Sequence, residues 1–407
     1  MKEIPGQFSN FITRPLYIDK TEPYIDTPVI KVLTGQRRVG KSYLLFQLMN
    51  IIRKMNPDAQ LLYINMELRE FSHLKDDVLL YAFIKERTLS TKRTYLFIDE
   101  IQEILHFEKA IRSLFAEGRY DIYCTGSNSH LMSGELATYL SGRYIEIPVY
   151  GLTYPEFIMF HHLENNTETL EKYIKWGGLP AIAQFPANDT MIYQFIESVK
   201  DSILLKDIVQ RYNVRNASFL KNLLFFLADN IGSLVSSKRI SDYLKSQQIQ
   251  VNVQTVLDYL GFIDSSFMVQ KVRRFDIGGR KIFEVGEKYY FEDLGIRHVL
   301  TPFNRKDLGK VIENLVYHHL RAYGYQLYIG KSGANEIDFV AQKQDLTLYF
   351  QVALQLTDQE TMNREYGNLL DIKDNFPKYL ITLDDIGSAD YKGIGHLHIR
   401  NFLTRVW

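Results

Sequence analysis

The chain has 407 residues, 46% hydrophobic and 24% charged, with 48 Lys+Arg against 48 Asp+Glu. That length exceeds one ordinary hydrophobic core, so two or three domains are expected. The balanced charge removes any global electrostatic case for nucleic acid or a membrane, and leaves only local ones.

Read in chain order, Met1–Pro5 has no apolar core of the kind a signal peptide carries. No apolar stretch is long enough to span a bilayer, so a cytoplasmic protein without a membrane partner is expected. The first predicted strand is 29–34. It runs directly into Gly35-Gln36-Arg37-Arg38-Val39-Gly40-Lys41-Ser42, the pattern G-x-x-x-x-G-K-[ST]. An apolar-periodic segment beginning at Tyr43 follows, giving the strand–loop–helix context the pattern requires. Gly35 and Gly40 let the backbone wrap closely around phosphate oxygens. The amides from Gln36, Arg37, Arg38 and Val39 to the helix N-terminus at Tyr43 point at the anion. Lys41 reaches the terminal phosphates as a point charge, and Ser42 is a ligand for the accompanying magnesium.

Further strands are predicted at 61–66, 94–98, 121–125 and 144–149, with helical periodicity at 76–86 and 107–115 between them. Such alternation predicts a parallel sheet covered on both faces. The third strand ends in Asp99-Glu100, which delivers two carboxylates to the sheet's C-terminal edge, where ligands bind. Asp99 is the expected metal ligand, and Glu100 the group that polarises the attacking water. Because the acidic strand comes third, another strand is expected between it and the phosphate-loop strand. Cys124, the single cysteine, falls in a core strand; it excludes an internal disulfide, suits a reducing compartment and reads as an inert buried thiol. Ser127 or Asn128 at that strand's end holds the attacking water or senses the γ-phosphate, or else forms an ordinary turn. Arg143, in Leu140-Ser141-Gly142-Arg143, either neutralises transition-state charge in its own or a neighbour's site or makes a structural ion pair.

Residues 1–150 are thus read as the ATPase core. Residues 151–215 read as a helical lid or linker, with Thr153 as cap, Pro155 in the first turn and a break at Trp176-Gly177-Gly178-Leu179-Pro180. Residues 216–300 read as three helices (219–230, 237–246, 252–260) and a hairpin pairing 269–275 with 281–285 across Gly278-Gly279, the pattern of a winged helix. Residues 301–407 read as a separate α/β unit. Its elements are a helix at 309–322, strands at 326–329, 336–341 and 346–352, a helix near 361–370 and a strand near 378–383.

Taken together, 36–42, Phe97-Ile98-Asp99-Glu100-Ile101-Gln102, Thr125-Gly126-Ser127 and 140–143 resemble the bacterial and archaeal AAA-type P-loop ATPases over essentially the whole chain. The C-terminal half resembles the domain of unknown function, DUF4143, that accompanies them. The resemblance implies ATP and Mg2+ binding and no particular substrate. Within 301–407, Glu313, Asp338 and Phe350-Gln351-Val352-Ala353 line up with the helix acid, the aspartate and the E-x-K of restriction-endonuclease-like folds. Gln351 and Ala353 replace the second carboxylate and the lysine, so an inactive remnant is expected, with Glu336 and Asp338 on one strand face. Over 238–281 eight cations face four acids. Lys271, Arg273, Arg274, Arg280 and Lys281 form the basic end of that stretch, suited to phosphate contact with little base preference. Three functions follow: a magnesium-dependent ATPase whose cycle controls contact with DNA, a nucleotide-controlled switch that binds a protein partner, or an ATP-regulated nuclease. An oligomer is compatible with each.

Overall fold

The structure is a computed structural model. It describes residues 11–89, 91–129, 140, 142–249, 251–282, 286–385 and 389–407. Ser141 and the wing residues 283–285 lie outside the described residues. Two compact units are present. The first holds the described residues up to Tyr150 together with Ser265–Phe267, and the second holds the remainder.

In the first unit, β1 (Ile30–Thr34), β2 (Gln60–Asn65), β3 (Thr94–Asp99), β4 (Tyr120–Gly126) and β5 (Tyr144–Pro148) form one sheet, in the order β2-β3-β4-β1-β5. Every pairing is parallel. The expected strand between the phosphate-loop strand and the acidic strand is β4. Both faces are buried, as a parallel sheet requires. Leu96 and Ile98 of β3 pack to one side with Ile30, Val32 and Ile122, while Tyr95 and Phe97 pack to the other with Leu33 and Tyr123. Among the described residues, four α-helices connect or flank the strands: α1 (Pro15–Thr21), α2 (Lys41–Met55), α3 (Asp77–Arg87) and α4 (Phe107–Ala116). Asp76 caps α3 by accepting from the Leu79 N–H. Cys124 is buried, and burial pushes its thiol up.

Beneath the site-bearing edge, Lys31 and Asp121 form a fully buried ion pair. Asp121 also accepts from the Tyr123 hydroxyl at 2.8 Å and the Asp26 amide at 3.0 Å. The lysine that interrupts the β1 apolar run is therefore paired inside the unit.

The second unit starts with helices Tyr154–His161, Thr167–Trp176 and Asp189–Ser202, the last continuing as a π-helix over Ile203–Gln210. Thr153 and Glu156 form a capping box on the first. The break at Gly177-Gly178 has a packing reason. The buried Asp293 carboxylate accepts from the Gly178 N–H at 2.7 Å, and a Cβ on Gly177 would stand 2.4 Å from it. Asp293 caps helix Leu294–Leu300 as well, accepting from Ile296 N at 3.0 Å.

Helices Ala217–Asp229, Ser237–Ser246 and Val253–Ser265 follow. The hairpin expected after them is divided. β6 (Val269–Val272) pairs antiparallel with β9 (Lys288–Phe291), a strand the sequence did not announce. β7 (Arg274–Asp276) pairs with β8 (Lys281–Ile282) across the Gly278-Gly279 turn, and β7 then joins β10 (Gln326–Ser332) in parallel. The result is an eight-stranded mixed sheet, β14-β15-β13-β12-β11-β10-β7-β8. Its other members are β11 (Asn335–Lys343), β12 (Leu346–Val352), β13 (Lys378–Thr382), β14 (Ala389–Tyr391) and β15 (Ile394–His398). Helices Leu308–Ala322 and Gln359–Leu370 accompany this sheet. No described helix is long and apolar enough to cross a membrane.

Candidate nucleotide site

The parallel register sends three segments to one sheet edge. β1 leads into 35–40, β3 into Asp99-Glu100 and β4 into Ser127-Asn128. Gly35 has φ +144°, and a Cβ there would stand 2.0 Å from the Val149 carbonyl oxygen, so only glycine fits this turn. Gly40 enters α2 at φ +97°. Between them Arg38 is exposed at φ +70°, Val39 is buried in the core, and Arg14 Nη1 donates to the Val39 carbonyl at 2.9 Å. The loop is thus anchored through Val39 just before α2 begins.

The buried Lys41 ammonium donates to the loop's own carbonyls, Gly35 O at 2.9 Å and Gln36 O at 3.0 Å. Asp99 is buried at 2% exposure. One oxygen accepts from the Thr125 hydroxyl and the other from the Tyr63 hydroxyl at 3.0 Å, and the Ser42 hydroxyl also donates to the carboxylate. Burial pushes the Asp99 carboxyl up, and the neighbouring Glu100 charge adds to the rise against those three donors. Glu100 differs. Burial would raise it, but the Lys41 and Arg37 charges, with hydrogen bonds from Gln102 and Ser127, hold it below its ordinary value. It sits at φ +57°, and its amide donates to Thr125 Oγ1 at 2.9 Å. Gln102 Nε2 donates to Glu100 and, at 3.3 Å, to Ser127 Oγ.

Lys41, Ser42, Asp99, Glu100 and Ser127 therefore stand together. Asn128 is fully buried beside Ser127. Arg37 is turned toward Glu67, 3.2 Å from its Oε1. Tyr43 is 41% exposed on the first turn of α2 and packs edge-on to Phe46. Arg143 is not brought to the site. It precedes Tyr144, which pairs with Ile30, while the phosphate loop leaves beyond Thr34, the partner of Pro148. Those four strand steps are about 13 Å at a rise of ~3.3 Å per residue. Arg143 is exposed at the opposite end of the strands from the phosphate loop. Sequence reasoning assigned no role to Tyr63, Thr125 or Gln102, which orient the two acids. Thr125 and Gln102 lie within the quoted motifs; Tyr63 carried no local signal, because β3 brings it beside Asp99.

The residues present fit a magnesium-bound triphosphate. Ser42 and Asp99 offer hard oxygen donors at one point, and both amide atoms of the buried Gln36 lack hydrogen-bond partners.

A model of an AAA domain matches residues 27–158, and one for a domain of unknown function, DUF8612, matches 167–307. The latter overlaps the half that resembles DUF4143 only as far as residue 307. An uncharacterized protein of Haemophilus influenzae is 34% identical over 400 residues, covering 97% of this chain and 99% of that protein. An uncharacterized protein of Methanocaldococcus jannaschii is 30% identical over 378 residues, 88% of this chain and 83% of the relative. The Walker-type ATPase PABY2304 of Pyrococcus abyssi superposes with a TM-score of 0.50 at 17% identity, covering 71% of this chain and 96% of that one; this shows a shared fold alone. The chain belongs to the AAA-type P-loop ATPases.

Proposed function

We propose that this protein binds ATP with Mg2+ and hydrolyses it at the 35–42 loop. The observation that carries the reading is the meeting of Lys41, Ser42, Asp99 and Glu100 at one end of the parallel sheet. The loop amides and Lys41 bind the phosphates, with Lys41 leaving the Gly35 and Gln36 carbonyls to do so. Ser42 and Asp99 would hold the magnesium, which would supply charge neutralisation to the phosphates when bound. Glu100, kept ionised by Lys41 and Arg37, accepts the proton of the attacking water, and Ser127 or Asn128 positions that water. The test is a pair of variants. Lys41→Ala weakens nucleotide binding, whereas Glu100→Gln retains binding and stops turnover. Turnover at the wild-type rate in Glu100→Gln removes this assignment of the base.

The cycle, on this reading, controls contact with DNA through a winged helix in residues 216–300. In its favour, Lys271 and Arg273 line a cleft of about 340 Å³ together with Arg321, Tyr325 and Tyr328, while Arg280 and Lys281 are exposed at the nearby β7–β8 turn. Fluorescence anisotropy with duplex and single-stranded DNA at low salt, with and without nucleotide, tests it. Binding that falls with salt and is lost in Lys271→Glu/Arg273→Glu supports it. Absence of affinity in every arm leaves the alternative, a nucleotide-controlled switch acting on a protein partner.

A further inference from the structure

The likeness of 301–407 to restriction-endonuclease-like folds implies a divalent metal between a helix acid and a strand acid. The residues at that place do not fit one. Glu313 comes from helix Leu308–Ala322, and Glu336 and Asp338 come from one face of β11. Among them stands the ammonium of Lys288, delivered by β9. Its Nζ is 2.8 Å from Glu313 Oε1, 3.0 Å from Glu336 Oε1 and 3.1 Å from Asp338 Oδ1. Lysine has three N–H donors, and three carboxylates surround it.

The rest of the shell is committed too. The Tyr290 hydroxyl donates to Glu313 Oε1 at 2.5 Å, and the Val352 amide to Asp338 Oδ2 at 2.9 Å. Gln351, at the second-carboxylate position, donates to Glu365 at 2.9 Å. No described group of three or more His, Cys, Asp or Glu is arranged to hold a metal ion. A Mg2+ ion needs oxygens at about 2.0–2.1 Å. An ammonium keeps them near 3 Å, so the two cations cannot share this place. Lys288 is 3% exposed, and a buried ammonium is tolerated only when compensated. The carboxylates in turn require a cation against their mutual repulsion.

We propose that the Lys288 ammonium is the resident cation of this three-carboxylate site. It takes the place of a divalent metal, lets this half of the chain fold without one, and covers a latent site for a hard divalent cation such as Mg2+ or Mn2+. The inference does not depend on the ATPase reading.

The experiment uses the full chain without nucleotide, so that the phosphate loop contributes equally to every variant. Free Mn2+ is followed by electron paramagnetic resonance during titration. Lys288→Ala is expected to take up one more Mn2+ per chain than wild type. Lys288→Ala/Asp338→Asn returns to the wild-type count. A folded Lys288→Ala with the wild-type count overturns the latent site. A wild-type Mn2+ that disappears in Asp338→Asn overturns the lysine as occupant. Should Lys288→Ala fail to fold, Lys288→Met and Asp338→Asn are compared by melting temperature, singly and together. Asp338→Asn lowers the melting temperature with Lys288 present and raises or spares it when combined with Lys288→Met; equal losses in both overturn the proposal.

Discussion

Replacing Tyr63 by Phe removes one oxygen and leaves the ring that packs against Phe46 at 5.1 Å. The lost hydroxyl donates to Asp99 Oδ2 at 3.0 Å inside a site where burial already pushes that carboxyl up. A hydrogen bond to a charged group contributes about 1.5–3 kcal/mol. Losing the Tyr63 donor therefore moves the Asp99 carboxyl further up. Only the ionised carboxylate holds a divalent metal. Magnesium-dependent binding of a fluorescent ATP analogue, measured from pH 5.5 to 9, reads the shift. In Tyr63→Phe the acid limb moves to higher pH, with a loss of binding of about 1.5–3 kcal/mol at its foot, while the affinities of variant and wild type converge at the alkaline end. A deficit of constant size across the whole range would mean that the phenol acts through packing, and the argument would fail.

Gly35→Ala sets a Cβ 2.0 Å from the Val149 carbonyl at φ +144°. Backbone strain of roughly 1–3 kcal/mol corresponds to about a 5- to 150-fold loss of nucleotide affinity, read by the same titration with the fold checked by circular dichroism; unchanged affinity counts against a loop that must close this tightly. Lys31→Ala leaves the buried Asp121 charge unpaired. The expected loss is about 3–5 kcal/mol in urea unfolding, and a loss under about 1 kcal/mol would contradict the pairing. Glu292 is buried, and burial lifts its carboxyl from 4.5 to about 8 despite Arg321. The folded chain keeps that proton over a range in which the unfolded chain has released it, so stability falls as pH rises from about 4.5 to 8. Glu292→Gln should flatten that decline, with melting temperatures converging at low pH; an identical slope in the variant refutes the assignment.

The first unit was legible because its signals are local. Each strand is an apolar run, and each loop carries its candidate chemistry in adjacent residues, so the placement of Lys41 and Asp99 at one sheet edge was legible from spacing and context. Their supports were not. Tyr63 acts on Asp99 only because β2 and β3 pair at Asn65↔Asp99, a long-range register with no sequence signature. Arg143 shows the converse. Its motif allowed a catalytic arginine or a structural ion pair, and the direction of β5 places it at the end of the sheet away from the phosphate loop. In the second unit, 269–275 alternates like one strand. The structure divides it between two sheets, because residues 288–291 and 326–332, far along the chain, compete for its edges. Lys288 escaped notice for the same reason: a lone lysine before two tyrosines has no visible partners until the fold gathers three acids around it.

The pairing of Arg274, Phe275 and Asp276 with Ile329, Gly330 and Lys331 has a practical meaning for anyone dissecting this molecule. A fragment ending near residue 300 would carry away two ribbons of the neighbouring sheet and expose the raw margin of Gln326–Ser332 on what remained, an invitation to aggregation. The seam also limits evolutionary shuffling, since neither side can be exchanged without refitting its hydrogen-bond ladder.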